Sequence, residues 1–364
     1  MKTVFIVSDG LSTLDRGMMN RSSHKYEYDL AVSMSKSVNV KILSAALEFP
    51  EVLKDGNLQL FGIRKGGSKY SAAKEIINQF NGEKSVIFWG YDFFKVLIML
   101  QIQNKCNAPV FPFVYDSHKV AISNFNPIKR LVADLYFKLG KMILKRFHGI
   151  ILFQEKAAKL LSFDKRRYLV IKPGAPKNFI TPLDTDDSSF NVVFCGTLSH
   201  LNGVDSLIET FDLFENSNIR FTLCGDGPLS GAVREASEHY DNVEYLGLVS
   251  DNEIRDLYSR SDLLLNLRRT DDEAMNYAFP SKFFESICSG VPVVTPKLID
   301  DFEINDNVYI INKISAGEIS ETIFSAYDDR SFGRTKALKA RNFALDKYSF
   351  DKSASNIIKF IFND

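Results

Sequence analysis

The sequence predicts an α/β protein built from two Rossmann-like, doubly wound domains. Its 364 residues are enough for two domains of ordinary size. Short runs rich in Val, Ile and Phe alternate with longer helical patterns, which is typical of parallel sheets with crossover helices. The alternation stops at a stretch containing Pro and Gly (172–177) and an acidic stretch (184–189), and then begins again.

The first domain is predicted to span residues 1–172. Its expected strands are residues 4–8, 38–43, 86–89, 110–115, 150–153 and 168–171, and its clearest helices are residues 72–80 and 128–147. Residues 9–23, which follow the first strand, predict a long loop. In sheets of this kind, ligands bind beyond the carboxyl ends of the strands. We therefore expect this loop to lie at the ligand-binding edge of the domain.

Residues 173–189 are the expected linker, and the second domain is predicted to span residues 190–346. Its expected strands are residues 191–196, 219–224, 243–247, 263–267, 291–294 and 308–311, with helices at 204–214, at 252–259 and around Glu285. Ser250 and Glu253 have capping-box spacing, which supports a helix start there. Two carboxyl edges facing each other would form a cleft between the domains.

The composition excludes several classes of function. Lys plus Arg equals Asp plus Glu, at 45 each, so no overall field favours nucleic acid as a partner. No segment approaches the roughly 18 uninterrupted apolar residues of a membrane span, and the N-terminus reads as a first strand rather than a signal peptide. The four cysteines have no paired spacing, which favours a reduced, cytoplasmic protein; they are Cys106, Cys195, Cys224 and Cys288.

Three segments of the second domain have the residue types of a nucleotide site. Glu285 lies on a helix that follows a polar loop, and such a helix offers free N–H groups to an anion. The turns at 196–203 and 225–228 follow strands, and their glycines would let the backbone approach a phosphate, a base or a ribose. A glycine after a strand can also be a simple turn requirement.

These motifs resemble, in content and order, those of the retaining GT-B glycosyltransferases of family 4, the glycosyltransferase group 1 family. The resemblance rests on residues 194–204, 224–228, 243–247, 258–262 and 279–294, and extends to residues 171–174 and 348–350. It implies that the second domain binds a nucleotide sugar, that the first domain binds the acceptor, and that a last helix at 347–364 crosses back to the first domain. The implied donor is linked to UDP or GDP, with no cofactor and no metal.

The resemblance also implies roles for individual residues. Glu285 matches the second glutamate of the family's Glu-x7-Glu motif and would accept hydrogen bonds from the ribose. The first glutamate would fall at Tyr277, so an acid of 271–273, with Glu273 favoured, would replace it unless these acids are solvated surface. The expected donor-binding set is Gly196, Thr197, Asn202, Gly203, Gly225, Gly227, Tyr277, Phe279, Pro280, Ser281 and Glu285.

The diphosphate needs positive charge, and the family's usual Arg and Lys positions read Thr197 and Asn202 here. Arg268, Arg269 and Lys282 are the candidate replacements, and Arg268 is favoured because it directly follows a strand. An arginine here could instead pair with neighbouring acids. In the first domain, His118 follows a central strand and would approach the donor sugar, although a lone histidine can be structural. Gly10, Arg16 and Gly17 would form the acceptor-side loop.

Residues 128–147 predict an amphipathic helix with basic residues on one face and apolar residues on another. Such a helix can lie on an anionic membrane surface. It can equally be an ordinary crossover helix with a solvated charged face.

The function favoured by the sequence is transfer of a sugar from a nucleotide diphosphate to a glycan or lipid-linked acceptor with retention of configuration. The resemblance places it in bacterial surface-polysaccharide or lipid-linked oligosaccharide assembly. The alternatives are a catalytically inactive GT-B-like binding subunit, motivated by the missing residues, and a sugar-nucleotide epimerase on the same fold. A dehydrogenase is disfavoured because no strand is followed by the Gly-x-Gly-x-x-Gly pattern.

Overall fold

The computed structural model describes residues 2–19, 22–66, 68–114, 126–172, 174–175, 189–270 and 281–363. The described residues form two compact units. The first contains those up to Gly174 together with those from Phe350 onward, and the second contains those between Ala175 and Ser349.

The first unit contains an eight-stranded sheet in the order β3-β4-β2-β1-β5-β6-β7-β8. Its strands are β1 (Thr3–Ser8), β2 (Asn39–Glu48), β3 (Val52–Asp55), β4 (Leu58–Arg64), β5 (Lys84–Trp89), β6 (Val110–Val114), β7 (Ile150–Leu152) and β8 (Tyr168–Val170). Neighbouring strands are parallel except β3 and β4. Every residue of β1 is buried, as expected for a central strand covered on both faces.

Helices on this sheet begin where side chains cap them. They are α1 (Ser22–Ser35), α2 (Ala73–Asn78), α3 (Phe93–Cys106), α4 (Pro127–Leu144) and α5 (Glu155–Leu160). Asp92 accepts a hydrogen bond from the Lys95 N–H at 2.9 Å and so starts α3. Asn126 caps α4 in the same way, and Pro127 follows at the first helical position.

The second unit contains a six-stranded sheet in the order β11-β10-β9-β12-β13-β14, with all neighbours parallel. Its strands are β9 (Phe190–Cys195), β10 (Ile219–Cys224), β11 (Val243–Gly247), β12 (Leu263–Leu265), β13 (Val293–Pro296) and β14 (Tyr309–Ile311). Two mostly parallel sheets with intervening helices confirm the predicted fold class.

The helices of the second unit are α6 (Val204–Ile208), α7 (Ser230–His239), α8 (Asp251–Ser259), α9 (Ser281–Ser289), α10 (Phe302–Asn305), α11 (Ala316–Asp328) and α12 (Arg330–Lys347). The predicted capping box is present at the start of α8: the Ser250 hydroxyl accepts from the Glu253 N–H, and the Glu253 carboxylate accepts from the Ser250 N–H. The predicted helix at 204–214 is divided, because α6 ends at Ile208 and a 3-10 turn covers Phe211–Phe214.

A final helix, α13 (Phe350–Phe362), completes the core of the first unit. Ile357 and Ile361 are buried in the same apolar cluster as residues of β1 and β5. The Ser85 hydroxyl at the start of β5 donates to the Ile361 carbonyl at 3.0 Å. Trp89, the only tryptophan of the chain, is buried in this cluster, where its ring stacks on Phe113 at 4.2 Å.

The structure differs from the sequence prediction at two cysteines, which were expected to be reduced, and at one pair of strands. The structure joins Cys195 and Cys224 as a disulfide, because the register of β9 and β10 places the two residues side by side with their Cα atoms 4.8 Å apart. Cys106 and Cys288 are free and buried. The antiparallel β3–β4 pair was not predicted, since β3 is almost wholly exposed and carries no clear apolar pattern.

Among the described helices, none is long and apolar enough to cross a membrane.

Asp262, directly before β12, holds the second unit together. Its side chain is fully buried, and its carboxylate accepts hydrogen bonds from the Asn191 N–H of β9 at 2.9 Å. It also accepts from Arg330 and Arg334 of α12, at 2.8 and 3.0 Å. A buried carboxylate with this many donors is stabilising only while all of them stay in place. One side chain therefore connects two strands to a helix.

We expect Asp262→Asn to lower the free energy of unfolding of the second unit by about 3 kcal/mol, because two guanidinium groups lose their buried counter-charge. Hydrogen–deuterium exchange of peptides that cover β9 and β12 would measure this loss. Asp256→Asn, on the exposed side of α8, is the matched control and should change exchange little. Equal protection in the two variants would contradict the role of Asp262.

Candidate functional site

The carboxyl edge of the second sheet is formed by two turns that hydrogen-bond to each other. One turn follows β9 and contains Gly196 to Leu198, and the other follows β10 and contains Gly225 to Gly227. The Gly196 N–H donates to the Cys224 carbonyl at 2.9 Å, and the Leu198 N–H donates to the Asp226 carbonyl at 3.0 Å. The backbone of this edge is therefore fixed before any ligand binds.

Gly225 and Gly227 are required by this packing. Gly225 has φ of 132°, and a Cβ atom there would lie 1.8 Å from the Gly196 carbonyl oxygen. A Cβ atom on Gly227 would lie 2.4 Å from the Leu198 carbonyl oxygen. Such distances are impossible without moving the backbone. The neighbouring turn fills the space that a side chain on either glycine would need, and their role in admitting a base or a ribose stays a prediction.

Gly196 has a different environment. A Cβ atom there would meet the Phe194 ring at 3.4 Å and the Lys282 Cδ atom at 3.8 Å, which are ordinary contacts. The fold does not require glycine at this position. Gly196 itself is buried and its N–H is bonded to the Cys224 carbonyl, whereas the next residue, Thr197, is exposed. An anion would therefore meet this turn at Thr197, beside the Lys282 side chain.

The remainder of the first turn is shaped by Asn202 and Gly203. The Asn202 amide donates to the Thr197 carbonyl at 2.7 Å and so closes the turn. Gly203 has φ of 68°, and a Cβ atom there would lie 2.5 Å from the Ile314 side chain. Both residues support the conformation that presents Thr197.

Helix α9 brings Lys282 and Glu285 to the same region of the chain's second unit. The Lys282 ammonium group donates to the Cys195 carbonyl at 3.1 Å, so its charge lies at the end of β9 beside Gly196. Glu285 lies about one turn further along α9 and is half-buried. Burial raises the pKa of Tyr258 and, to about 12, that of Cys288, and the negative charge of Glu285 adds to both shifts. The Glu285 carboxylate therefore lies close enough to these two side chains for its charge to affect them.

The two arginines after β12 have different roles. Arg269 donates to the His200 carbonyl at 2.9 Å, to the Asp205 carboxylate at 2.8 Å and to the Ser206 hydroxyl at 3.1 Å. Through these bonds, Arg269 holds the turn after β9 against α6. Arg268 is half-buried and follows Leu267, whose side chain contacts the position of Gly203. It stays the predicted phosphate-binding arginine.

Several predicted residues lie outside the described part of the chain, and their roles stay predictions. They are His118, Asp271, Asp272, Glu273, Tyr277, Phe279 and Pro280. Ser281, the first residue of α9, is described and half-buried.

In the first unit, the loop after β1 borders a cavity of about 350 Å³, lined by Gly10, Leu11, Ser12, Thr13, Met18, Met19 and His24. Gly10, predicted for the acceptor-side loop, thus lies at a cavity. The Gly17 N–H donates a hydrogen bond to the Asp15 carboxylate at 2.9 Å, which shapes a short 3-10 turn. Arg16 forms a two-bond ion pair with Asp29 at 2.9 and 3.0 Å and fixes the loop to α1.

His24 and Glu27 are residues of this edge that sequence reasoning missed. A Cβ atom on Gly10 would lie 2.6 Å from the His24 Nε2 atom, so the histidine ring covers this glycine. Glu27 is buried, and its carboxyl group accepts from the Ser8 hydroxyl at 2.9 Å. Neither residue belongs to a motif, and both look like ordinary polar positions of a helix in the sequence.

Burial raises the pKa of Glu27 to about 8, with Asp9 adding to the shift, while the Ser8 hydroxyl and Lys95 oppose it. Its second carboxyl oxygen has no hydrogen-bond partner among the described residues. Asp9 is itself held by Tyr70 and Lys95. Glu27 is therefore a neutral acid at pH 7, placed under the end of β1.

Part of the second unit is similar to a known family. Residues 189–329 match the sequence model of the glycosyl transferases group 1 family. The gpi3 subunit of phosphatidylinositol N-acetylglucosaminyltransferase from Schizosaccharomyces pombe is 28% identical over 129 residues, which are 34% of this chain and 25% of that protein. The chain thus spans about a quarter of the length of this curated relative.

Solved structures match the whole chain. Sucrose-phosphate synthase from Thermosynechococcus elongatus superposes with a TM-score of 0.75 and 13% identity, covering 100% of this chain and 99% of that one. Anabaena HepE in complex with UDP gives a TM-score of 0.68 and 14% identity, with 100% of both chains covered. HepE has also been solved with UDP-glucose. These likenesses establish the fold.

The chain therefore has the GT-B fold of these glycosyltransferase structures. Its residues 189–329 match the glycosyl transferases group 1 model, the family that its motifs predicted.

We expect Gly196→Ala to leave thermal stability nearly unchanged, whereas Gly225→Ala should lower the free energy of unfolding by about 3 kcal/mol or more. The reason is that a methyl group at 196 meets only ordinary contacts, while one at 225 collides with a carbonyl oxygen. Chemical denaturation followed by circular dichroism would measure both variants. Equal destabilisation would show that Gly196 is also fixed by packing.

Glu27 should make the stability of the first unit depend on pH. Because its pKa is about 8 in the folded chain and 4.5 ordinarily, the folded state binds more protons between these values. Stability therefore falls as pH rises through this window, with a slope that approaches about 1.4 kcal/mol per pH unit.

Glu27→Gln removes this titration, so the variant should gain stability relative to the native chain between pH 5 and pH 8. Melting followed by Trp89 fluorescence reports on the same unit and would measure the difference. Parallel pH profiles for the two proteins would contradict the raised pKa.

Proposed function

We propose that the protein transfers a sugar from a UDP- or GDP-linked donor to a glycan or lipid-linked acceptor. The observation that carries the proposal is the exposed turn at Thr197 next to the Lys282 ammonium group at the end of β9. A cation beside such a turn, at the carboxyl end of a parallel strand, is suited to a diphosphate. The group 1 domain covers this region, and the related HepE structures contain UDP and UDP-glucose.

In the proposed complex, the diphosphate lies over residues 196–197 and Lys282, and the ribose hydroxyls donate to Glu285. Arg268 supplies further positive charge from the end of β12. As the bond between the sugar and the diphosphate breaks, negative charge grows on the leaving group, and these cations and N–H groups stabilise it. The proposal assigns this work to side chains and backbone, so transfer should proceed in the presence of a chelator.

We further propose that transfer retains the anomeric configuration and that the product belongs to surface-polysaccharide or lipid-linked oligosaccharide assembly. The order of the motifs, which resembles that of retaining family 4 enzymes, supports retention. The name of the fission yeast relative, which specifies phosphatidylinositol as the acceptor, supports a lipid-linked acceptor. Proton NMR of the transferred sugar would distinguish retention from inversion.

A donor-binding subunit without catalysis is the second candidate. The observation that favours it is that Thr197 and Asn202 stand where the resembling enzymes have their two cations, and Asn202 is used to close a turn. Such a subunit would bind the nucleotide but would not cleave the donor.

Hydrolysis of the donor in the absence of acceptor tests the proposal. We expect slow release of UDP or GDP from one member of a panel of nucleotide sugars, with Glu285→Gln and Lys282→Met each weakening nucleotide binding about 30-fold, the effect of losing one charged hydrogen bond. Calorimetry would give the affinities, and a coupled assay would give the release rate.

Glu321→Gln, on the exposed face of α11, is the matched control and should leave binding unchanged. Gly196→Ala should fold normally and bind the nucleotide more weakly. Binding without release would support the inactive subunit, and no binding of any nucleotide would contradict both functions.

A further inference from the structure

Helix α4 presents its apolar side chains to solvent instead of to the protein. Ile128, Leu131 and Met142 are 76%, 73% and 72% exposed, and Leu135 is 57% exposed. At about 100° per residue, these four side chains and those of Val132 and Leu139 form one continuous stripe along the helix. A surface helix of a globular protein normally turns such a stripe inward.

The opposite face of α4 is fixed against α3. Gly140 and Leu144 are the buried residues of the helix, and a Cβ atom on Gly140 would lie 3.5 Å from the Phe93 backbone nitrogen. The helices thus approach closely through a small residue. This contact sets the rotation of α4 and leaves the apolar stripe on the outside.

The apolar surface continues onto α3. Phe94 is 62% exposed, and its ring lies 5.6 Å from that of Tyr136 on α4. Tyr136 also stacks on Phe93 at 5.5 Å. We call this combined surface, formed by the six-residue stripe of α4 and by Phe94, the α3–α4 patch. A continuous group of seven exposed apolar side chains on a folded protein marks an interaction site.

Basic residues border the patch. Residues 127–146 contain six Lys or Arg and one acidic residue, Asp134, although the whole chain has no net charge. By helical spacing, Lys138 and Lys145 fall along one side of the stripe and Lys129 falls along the other. An apolar stripe with cations on both sides matches a surface of acyl chains beneath anionic headgroups.

We propose that the α3–α4 patch binds the surface of a membrane that contains anionic phospholipid. The charge pattern favours this occupant over a second copy of the chain. In a symmetric dimer through the patch, the basic borders of one copy would face the basic borders of the other and repel them. The patch lies on the surface in the manner of an interfacial helix and does not cross the bilayer. It would hold the first unit where a lipid-linked acceptor is found.

Flotation with vesicles tests the proposal. We expect the full chain to float with vesicles of phosphatidylcholine and phosphatidylglycerol, and to do so much less with phosphatidylcholine alone. Leu131→Ser combined with Leu135→Ser should lower the partition coefficient at least tenfold. Because both side chains are exposed, the variant should fold normally. Lys138→Glu with Lys145→Glu should lower it about 30-fold or more, since each of the two cations contributes about fivefold near an anionic surface.

Matched controls keep the result specific. Leu213→Ser with Leu248→Ser removes two exposed leucines of the second unit, and Lys156→Glu with Lys339→Glu makes the same change in net charge elsewhere. Both should float like the native chain. Equal losses in the controls would overturn the assignment to α4.

Sedimentation velocity tests the alternative that a second copy of the chain covers the patch. A dimer that the Leu131 and Leu135 substitutions dissociate, in a chain that binds neither vesicle, would overturn the proposal in favour of self-association. The rate of nucleotide release in solution should be the same in the patch variants as in the native chain. Failure of vesicle binding is therefore distinguishable from failure of the proposed donor chemistry.

Discussion

The buried carboxylate of Asp262 is the constraint on which the second unit depends. It joins β9, a central strand of the sheet, to the long helix α12 through hydrogen bonds of 2.8 to 3.0 Å. Helix α12 packs against α9, and α9 carries Lys282 and Glu285. A shift in the position of α12 would therefore displace α9 and the two charged residues that we assign to donor binding.

At the carboxyl edge of the second sheet, backbone packing between two turns fixes the position of the residues that we assign to donor binding. Gly225 and Gly227 let two turns touch through their backbones, and the contact fixes the turn that contains Gly196. That turn places the exposed Thr197 beside a lysine, and the fold does not itself require glycine at position 196. The three glycines are the same residue type, and the difference in their packing becomes visible only when the distances between the turns are known.

Much of the fold could be predicted because buried parallel strands are short apolar runs with clear ends. The strands at 219–224 and 243–247 have the predicted bounds to the residue. The β3–β4 pair escaped prediction because β3 is exposed and lacks a periodic pattern. Glu285 and Lys282 could be found from a motif, whereas Glu27 and His24 could not, since burial under a loop leaves no mark in local sequence. The same holds for Arg269, whose side-chain partners are 45 to 69 residues away in the chain.

The return of α13 to the first unit has a consequence for biosynthesis. During translation, every residue of the second unit leaves the ribosome before α13 does, yet Ile357 and Ile361 are part of the first unit's core. The second unit can therefore complete its core first, although it comes later in the chain. Until the last helix emerges, the nascent first unit has an open apolar face, and it is during this interval that a chaperone would have the most to protect.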